Sequence, residues 1–103
     1  MIKEINESNF EKEVTNAGYV LVDFYATWCG PCKMMSLVID EIAKDSTVKI
    51  CKCDVDKAQS IALRYQVSSI PTLILFKNGE DIATSQGYMP KEKLLEFIEA
   101  NKK

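Results

Sequence analysis

No histidine occurs among the 103 residues. That absence excludes a Ser-His-Asp triad, a Cys-His nucleophile pair and every zinc site that uses imidazole. A chemically active cysteine here needs another activator. Proline and glycine are sparse, at three and four, so neither a collagen-like repeat nor a low-complexity linker is present. Long hydrophobic runs are missing too. The longest mainly apolar stretch, Ile70 to Phe76, contains Pro71 and Thr72 and is far too short to cross a bilayer. Met1 leads into Ile-Lys-Glu-Ile with no apolar core of a secretory signal. With a formal net charge of −2, the basic footprint of a nucleic-acid binder is also lacking. A cytoplasmic protein that engages neither nucleic acid nor membrane is expected.

The 47% hydrophobic and 27% charged residues match an ordinary globular chain, and the length suits one domain over residues 1–103. Ile2 and Ile5 flank Lys3 and Glu4 in a short strand. Ser8 and Glu11 fit a capping box, so a helix is expected from about Asn9 to Asn16, stopped by Gly18. Tyr19 to Ala26 is aromatic, β-branched and almost continuously apolar, as befits a strand buried on both faces. After Thr27-Trp28-Cys29-Gly30-Pro31-Cys32, the residues Met34, Met35, Val38, Ile39, Ile42 and Ala43 recur at helical spacing. Pro31 falls in the first turn of that helix, where proline is tolerated.

Val48 to Val55 reads as the next strand. Asp56 is placed to cap a helix from about Lys57 to Tyr65. Thr72 to Lys77 is a further strand, turned by Asn78-Gly79 into Ile82 to Ser85. Pro90 opens a last helix with Leu94, Leu95, Phe97 and Ile98 as its apolar face. The order β-α-β-α-β-α-β-β-α predicts an α/β fold: a mixed sheet of about five strands flanked by about four helices.

Four cysteines remain to be explained: Cys29, Cys32, Cys51 and Cys53. In a chain without a secretory signal they point to redox chemistry, metal binding or buried thiols. Cys29 and Cys32 lie three residues apart where a strand meets a helix. Their sulfurs share a face of the first turn and can bond or separate with little backbone movement. The unpaired N–H groups and positive end of the helix are the available activators, and Cys29 is placed to use them. Cys32, one turn in, is expected to be the more buried. Cys29 then attacks a substrate disulfide and Cys32 resolves the mixed disulfide. The bland alternative is a pair of inert core thiols.

Asp23 interrupts an apolar strand, so burial and a raised pKa are expected; a carboxyl there can relay the proton of Cys32. Lys52 alternates with Cys51 and Cys53 along a strand and faces away from both; it neighbours Asp23 if the two strands are adjacent. The Cys-x2-Cys and Cys-x-Cys pairs form a rival pattern, a four-cysteine zinc site. Against it, the second pair has the wrong spacing and sits in a strand without a knuckle turn, so Cys51 and Cys53 read as small buried hydrophobes.

Three segments now stand together: Val22-Asp23-Phe24-Tyr25-Ala26-Thr27-Trp28-Cys29-Gly30-Pro31-Cys32-Lys33, Ile70-Pro71-Thr72 and Phe76-Lys77-Asn78-Gly79. In this order and at these separations they resemble the thioredoxin family over nearly the whole chain. Gly-Pro between the cysteines is similar to thioredoxins proper, whereas glutaredoxins typically carry Pro-Tyr and disulfide isomerases Gly-His. The resemblance implies a Cys29–Cys32 redox disulfide, with Cys29 as nucleophile and Cys32 as resolving thiol. It implies that Asp23 is a buried carboxylate with Lys52 as its neighbouring base, and that Pro71 is a cis proline beside the disulfide. Trp28, Gly30, Pro31, Val55, Ile70 and Gly87 would form the substrate surface, with Ile70 pairing to an extended segment. The implied partners are disulfide-containing proteins and a thioredoxin reductase; the dithiol itself carries the electrons, with no bound cofactor or metal, in a monomer. Two positions depart from the family pattern. Leu37 stands where a proline is frequent, so a straighter helix is expected, and Tyr25 stands where tryptophan is common. The remaining alternative is the same fold used as a structural subunit that binds a partner without turnover, a function that replacing Cys29 would leave intact.

Overall fold

The computed structural model describes residues 2–15 and 17–102. Its elements run β1 (Ile2–Ile5), α1 (Phe10–Val14), β2 (Tyr19–Tyr25), α2 (Gly30–Ala43), β3 (Lys49–Asp54), α3 (Gln59–Arg64), β4 (Thr72–Lys77), β5 (Glu80–Gln86) and α4 (Lys91–Asn101). The strands form one mixed sheet in the order β1-β3-β2-β4-β5. β3 pairs in parallel with both β1 and β2, while β4 runs antiparallel to β2 and to β5. The α/β class and element order are those expected. Longer connections containing helices make the parallel pairs and the antiparallel β2–β4 pair, and the tight Asn78-Gly79 turn makes the β4–β5 pair. Both turn residues have positive φ, 51° and 87°, the backbone that a two-residue hairpin of this twist demands.

Alternation along β2 divides the core. Val20, Val22 and Phe24 face α1 and α3, packing with Phe10, Val14, Ala58 and Ile61. Leu21 faces α2 and α4, against Met35, Ile39, Leu94 and Ile98. Asp23, two residues beyond Leu21, therefore lies under α2. The central strand is covered on both sides, which explains its unbroken apolar character.

Several local expectations are corrected. α1 is shorter than the span from Asn9 to Asn16, and Asn16 lies outside the described residues. No Ser8–Glu11 capping box forms. Instead the Asn6 side chain accepts from the backbone N–H groups of Ser8 and Asn9, at 2.9 and 3.1 Å, closing an Asx turn before the helix. Asp56 does not cap α3, which begins later, after Ala58. The turn is held by Asp54, whose carboxylate accepts from Asp56 N–H at 2.9 Å. β5 is longer than expected, and Leu95 of α4 is exposed while Leu94 and Ile98 turn inward. α2 is continuous from Gly30 to Ala43, with Leu37 on its outer face, 71% exposed.

Candidate active site

The carboxyl ends of the parallel strands β2 and β3 lie together, the usual place for a site in an open α/β sheet. β2 runs out at Tyr25, and Ala26, Thr27 and Trp28 carry the chain to α2. Cys29 is the N-cap, in extended backbone with φ −90° and ψ 115°. Its Sγ accepts the Cys32 backbone N–H at 3.2 Å. That donor is one of those a helix start leaves unpaired, so a thiolate at Cys29 would be stabilised by the same bond and by the helix dipole. Pro31 occupies the first turn, where its missing N–H costs nothing.

Cys29 and Cys32 are joined as a disulfide with Cα atoms 5.2 Å apart. Both residues are nearly covered: Cys29 is 5% exposed and Cys32 3%. The expected difference in burial is thus slight, and the two differ instead in neighbours. Cys29 Sγ lies 3.9 Å from the Ile70 carbonyl oxygen. Cys32 lines a cleft of about 190 Å³ with Tyr25, Ser36 and Lys52.

Around the sulfurs, Tyr25, Val55 and Ile70 pack against Ala26. Val55 N–H donates to the Tyr25 carbonyl at 2.8 Å, fixing the end of β3 beside the end of β2. The Ile70–Pro71 peptide is cis. Pro71 C=O accepts the Gly87 N–H at 2.7 Å, and Gly87 sits at φ +93°, a backbone only glycine enters freely. Trp28 is 70% exposed, with its indole N–H donating to Asp56 Oδ2 at 2.8 Å. Gly30 and Pro31 are exposed beside it. The residues assigned to the substrate surface thus gather around one end of the sheet from four separate segments.

Asp23 is wholly buried, and among the described residues neither of its carboxyl oxygens has a hydrogen-bond partner. Burial raises its pKa from 3.8 to about 7; Lys52 opposes the rise and Glu4 adds to it. Lys52 is the register partner of Asp23 across β2 and β3. Its ammonium is directed elsewhere, donating to Ser36 Oγ at 2.7 Å and lying 4.6 Å from the centroid of the Tyr25 ring. Tyr25 in turn donates its hydroxyl to Glu4 at 2.8 Å, and burial together with that carboxylate pushes its pKa up. Ser36 and Glu4 were not singled out as site residues from the sequence, and Asp56 was read there only as a helix cap. Ser36 had a discoverable signal: it stands four residues after Cys32, a polar position on the same helix face.

Cys51 and Cys53 are free, fully buried and pack with Val22, Phe24 and Ile74 on the α1–α3 side. Burial lifts their thiols to about 11 and about 12. The four sulfurs therefore do not converge as the zinc alternative requires. Among the described residues no group of three or more Cys, Asp or Glu side chains is arranged to hold a metal ion. A larger open cleft of about 450 Å³, between Arg64 and the β4–β5 turn, lies at the opposite end of the sheet, and no cysteine lines it. Among the described residues no helix is long and apolar enough to cross a membrane.

Comparison with known proteins places these features in context. The family model described as Thioredoxin matches residues 1–100. A thioredoxin of Staphylococcus saprophyticus is 49% identical over 100 residues, covering 95% of this chain and 95% of that protein. A thioredoxin of Pseudomonas aeruginosa is 45% identical over 103 residues, covering 97% and 95%. One from Listeria monocytogenes is 48% identical over 100 residues, covering 95% and 96%.

Proposed function

The chain belongs to the thioredoxin family and is a thiol-disulfide oxidoreductase, a protein-disulfide reductase, and from that premise we propose how its residues divide the work. Reduced Cys29, as thiolate, attacks one sulfur of a substrate disulfide. A mixed disulfide forms, and the other substrate sulfur leaves as a thiolate that takes a proton from solvent. The Asp23 carboxylate accepts the Cys32 thiol proton, directly or through water. Cys32 thiolate attacks Cys29 Sγ, releases the second substrate thiolate and closes the Cys29–Cys32 disulfide. Two electrons have passed from the dithiol to the substrate.

One observation carries the reading: Cys29 Sγ is the side-chain cap of α2 and accepts the Cys32 N–H at 3.2 Å. With no histidine in the chain, this is the arrangement that favours a thiolate. Ile70, whose carbonyl is 3.9 Å from Cys29 Sγ, offers its backbone to an extended substrate segment next to cis Pro71. Trp28, Gly30, Pro31, Val55 and Gly87 supply the surrounding contact area. Lys52 tunes Asp23. The chain works as a cytoplasmic monomer without a bound cofactor, and a thioredoxin reductase restores the dithiol.

Insulin reduction under limiting dithiothreitol tests this. The wild type accelerates reduction, Cys29→Ser abolishes the acceleration, and Cys32→Ser accumulates a mixed disulfide through Cys29. Absence of acceleration by the wild type overturns the reading. Equal trapping through either cysteine overturns the division of roles.

A further inference from the structure

We propose that Ser36 is a positioning residue for the proton step: its hydroxyl holds the Lys52 ammonium in the cleft beside Cys32 and so fixes the field at Asp23. The inference rests on the reading above, in which Asp23 takes the proton of Cys32.

A lysine side chain is a flexible stem with a strongly hydrated head, and its default is to extend into water. Lys52 does not follow that default. Its ammonium is held from two sides, by Ser36 Oγ of α2 at 2.7 Å and by the face of the Tyr25 ring of β2 at 4.6 Å. The ring is itself anchored, through the Tyr25 hydroxyl bonded to Glu4 of β1 at 2.8 Å. Ser36 follows Cys32 by four residues, so the two side chains project from the same face of α2, and both line the cleft that Lys52 enters.

The charges acting on Asp23 are few. Lys52 from β3 favours its carboxylate and Glu4 from β1 opposes it. From α2, Cys32 and Lys33 line the adjoining cleft. On β4 the facing residue is Leu73, which carries no charge. Lys52 is thus the cation that decides how readily Asp23 ionises. Coulomb energy falls with distance and with solvent access, so what matters is where the ammonium is kept. A serine hydroxyl in a helix commonly bonds back to its own turn. Here it accepts from a lysine on the sheet and ties helix to strand next to the resolving cysteine. Without that tether the ammonium swings into water, its influence is screened, and Asp23 becomes harder to ionise.

The test uses the oxidised protein, in which Cys29 and Cys32 do not titrate, and follows the Asp23 carboxyl carbon by NMR against pH. Ser36→Ala, a change that favours helix, is expected to raise the Asp23 midpoint by about half a pH unit or more. Ser36→Thr keeps the hydroxyl and stays at the wild-type value. Lys52→Met raises the midpoint further, and adding Ser36→Ala to it changes nothing more. An unmoved or lowered midpoint in Ser36→Ala overturns the proposal. So does an equal rise in Ser36→Thr, or an additive rise in the double variant. Insulin reduction by the wild type separates the two failures: if it proceeds while the midpoint ignores Ser36, only this inference falls.

Discussion

Asp23 and Lys52 are direct partners in the register of two neighbouring parallel strands, yet they do not satisfy one another. The ammonium bonds Ser36, and the carboxyl is left buried with neither oxygen paired among the described residues. A buried acid in that position has a readable thermodynamic signature.

In the folded chain Asp23 titrates near 7, against 3.8 for the free group. A folded pKa above the unfolded one means that the unfolded chain releases the proton first. Stability is therefore unaffected below about pH 4, falls as pH rises from 4 to 7, and levels off above that. At about 1.4 kcal/mol per pH unit the loss is on the order of 4 kcal/mol. Asp23→Asn is expected to remove most of it. Urea melts of the oxidised protein should show the variant about 2–4 kcal/mol more stable at pH 8 and near parity at pH 4. The same variant should slow disulfide exchange, since an amide cannot take the Cys32 proton. Equal stability at pH 8 would contradict the burial argument.

Thiol counting with an aromatic disulfide reagent should divide the cysteines cleanly. Reduced, folded protein should react quickly at two thiols only, and oxidised, folded protein at none. In denaturant the numbers should rise to four and two. Cys51 and Cys53 are fully buried with thiols lifted to about 11 and about 12, so they lack both access and thiolate at neutral pH. Rapid labelling of a third thiol in the folded protein would contradict this.

The Trp28–Asp56 bond spans an exposed indole and an exposed carboxylate. Asp56→Ala should therefore cost little stability, at most about 1 kcal/mol. It should free the ring, seen as a fall in the fluorescence anisotropy of the sole tryptophan. Unchanged anisotropy would show that packing alone holds the indole.

Gly79 has φ +87°, and a Cβ built on it would meet Thr15 Oγ1 at 3.2 Å. Gly79→Ala combines an unfavourable backbone with a tight contact between the β4–β5 turn and the end of α1. Thermal melts should show a loss of about 1–2 kcal/mol with insulin reduction intact, because the turn lies at the far end of the sheet from the sulfurs. A loss of activity without loss of stability would contradict that separation.

Much of this could be read along the chain because it is local. The alternation of strands and helices, the hairpin at Asn78-Gly79 and the helix start at Cys29 each depend on neighbouring residues. Asp23 betrayed its burial by the apolar residues on either side. What escaped notice is held by contacts between distant segments. One miss is local instead: Asn6 Oδ1 accepts both the Ser8 N–H and the Ser8 hydroxyl, the two groups that the capping box expected from Ser8 and Glu11 would have used. Asp56, read as a cap for α3, instead serves Trp28, twenty-eight residues away. Ser36 looked like one more polar residue on a helix until β3 brought Lys52 to it. Sequence periodicity reports which face a side chain occupies, not which partner waits there.

The sheet that keeps Cys51 and Cys53 apart from the disulfide also fixes the charge capacity of the molecule. Each folded chain can hold one electron pair and no more, because the two inner sulfurs are walled off from the outer two. That wall exists only after folding. The unfolded chain has four equivalent thiols and three ways of pairing all of them, so an oxidant that meets it before the sheet closes can lock in a dead isomer. The fold thus acts as an insulator, and its own assembly is the interval in which the wiring is exposed.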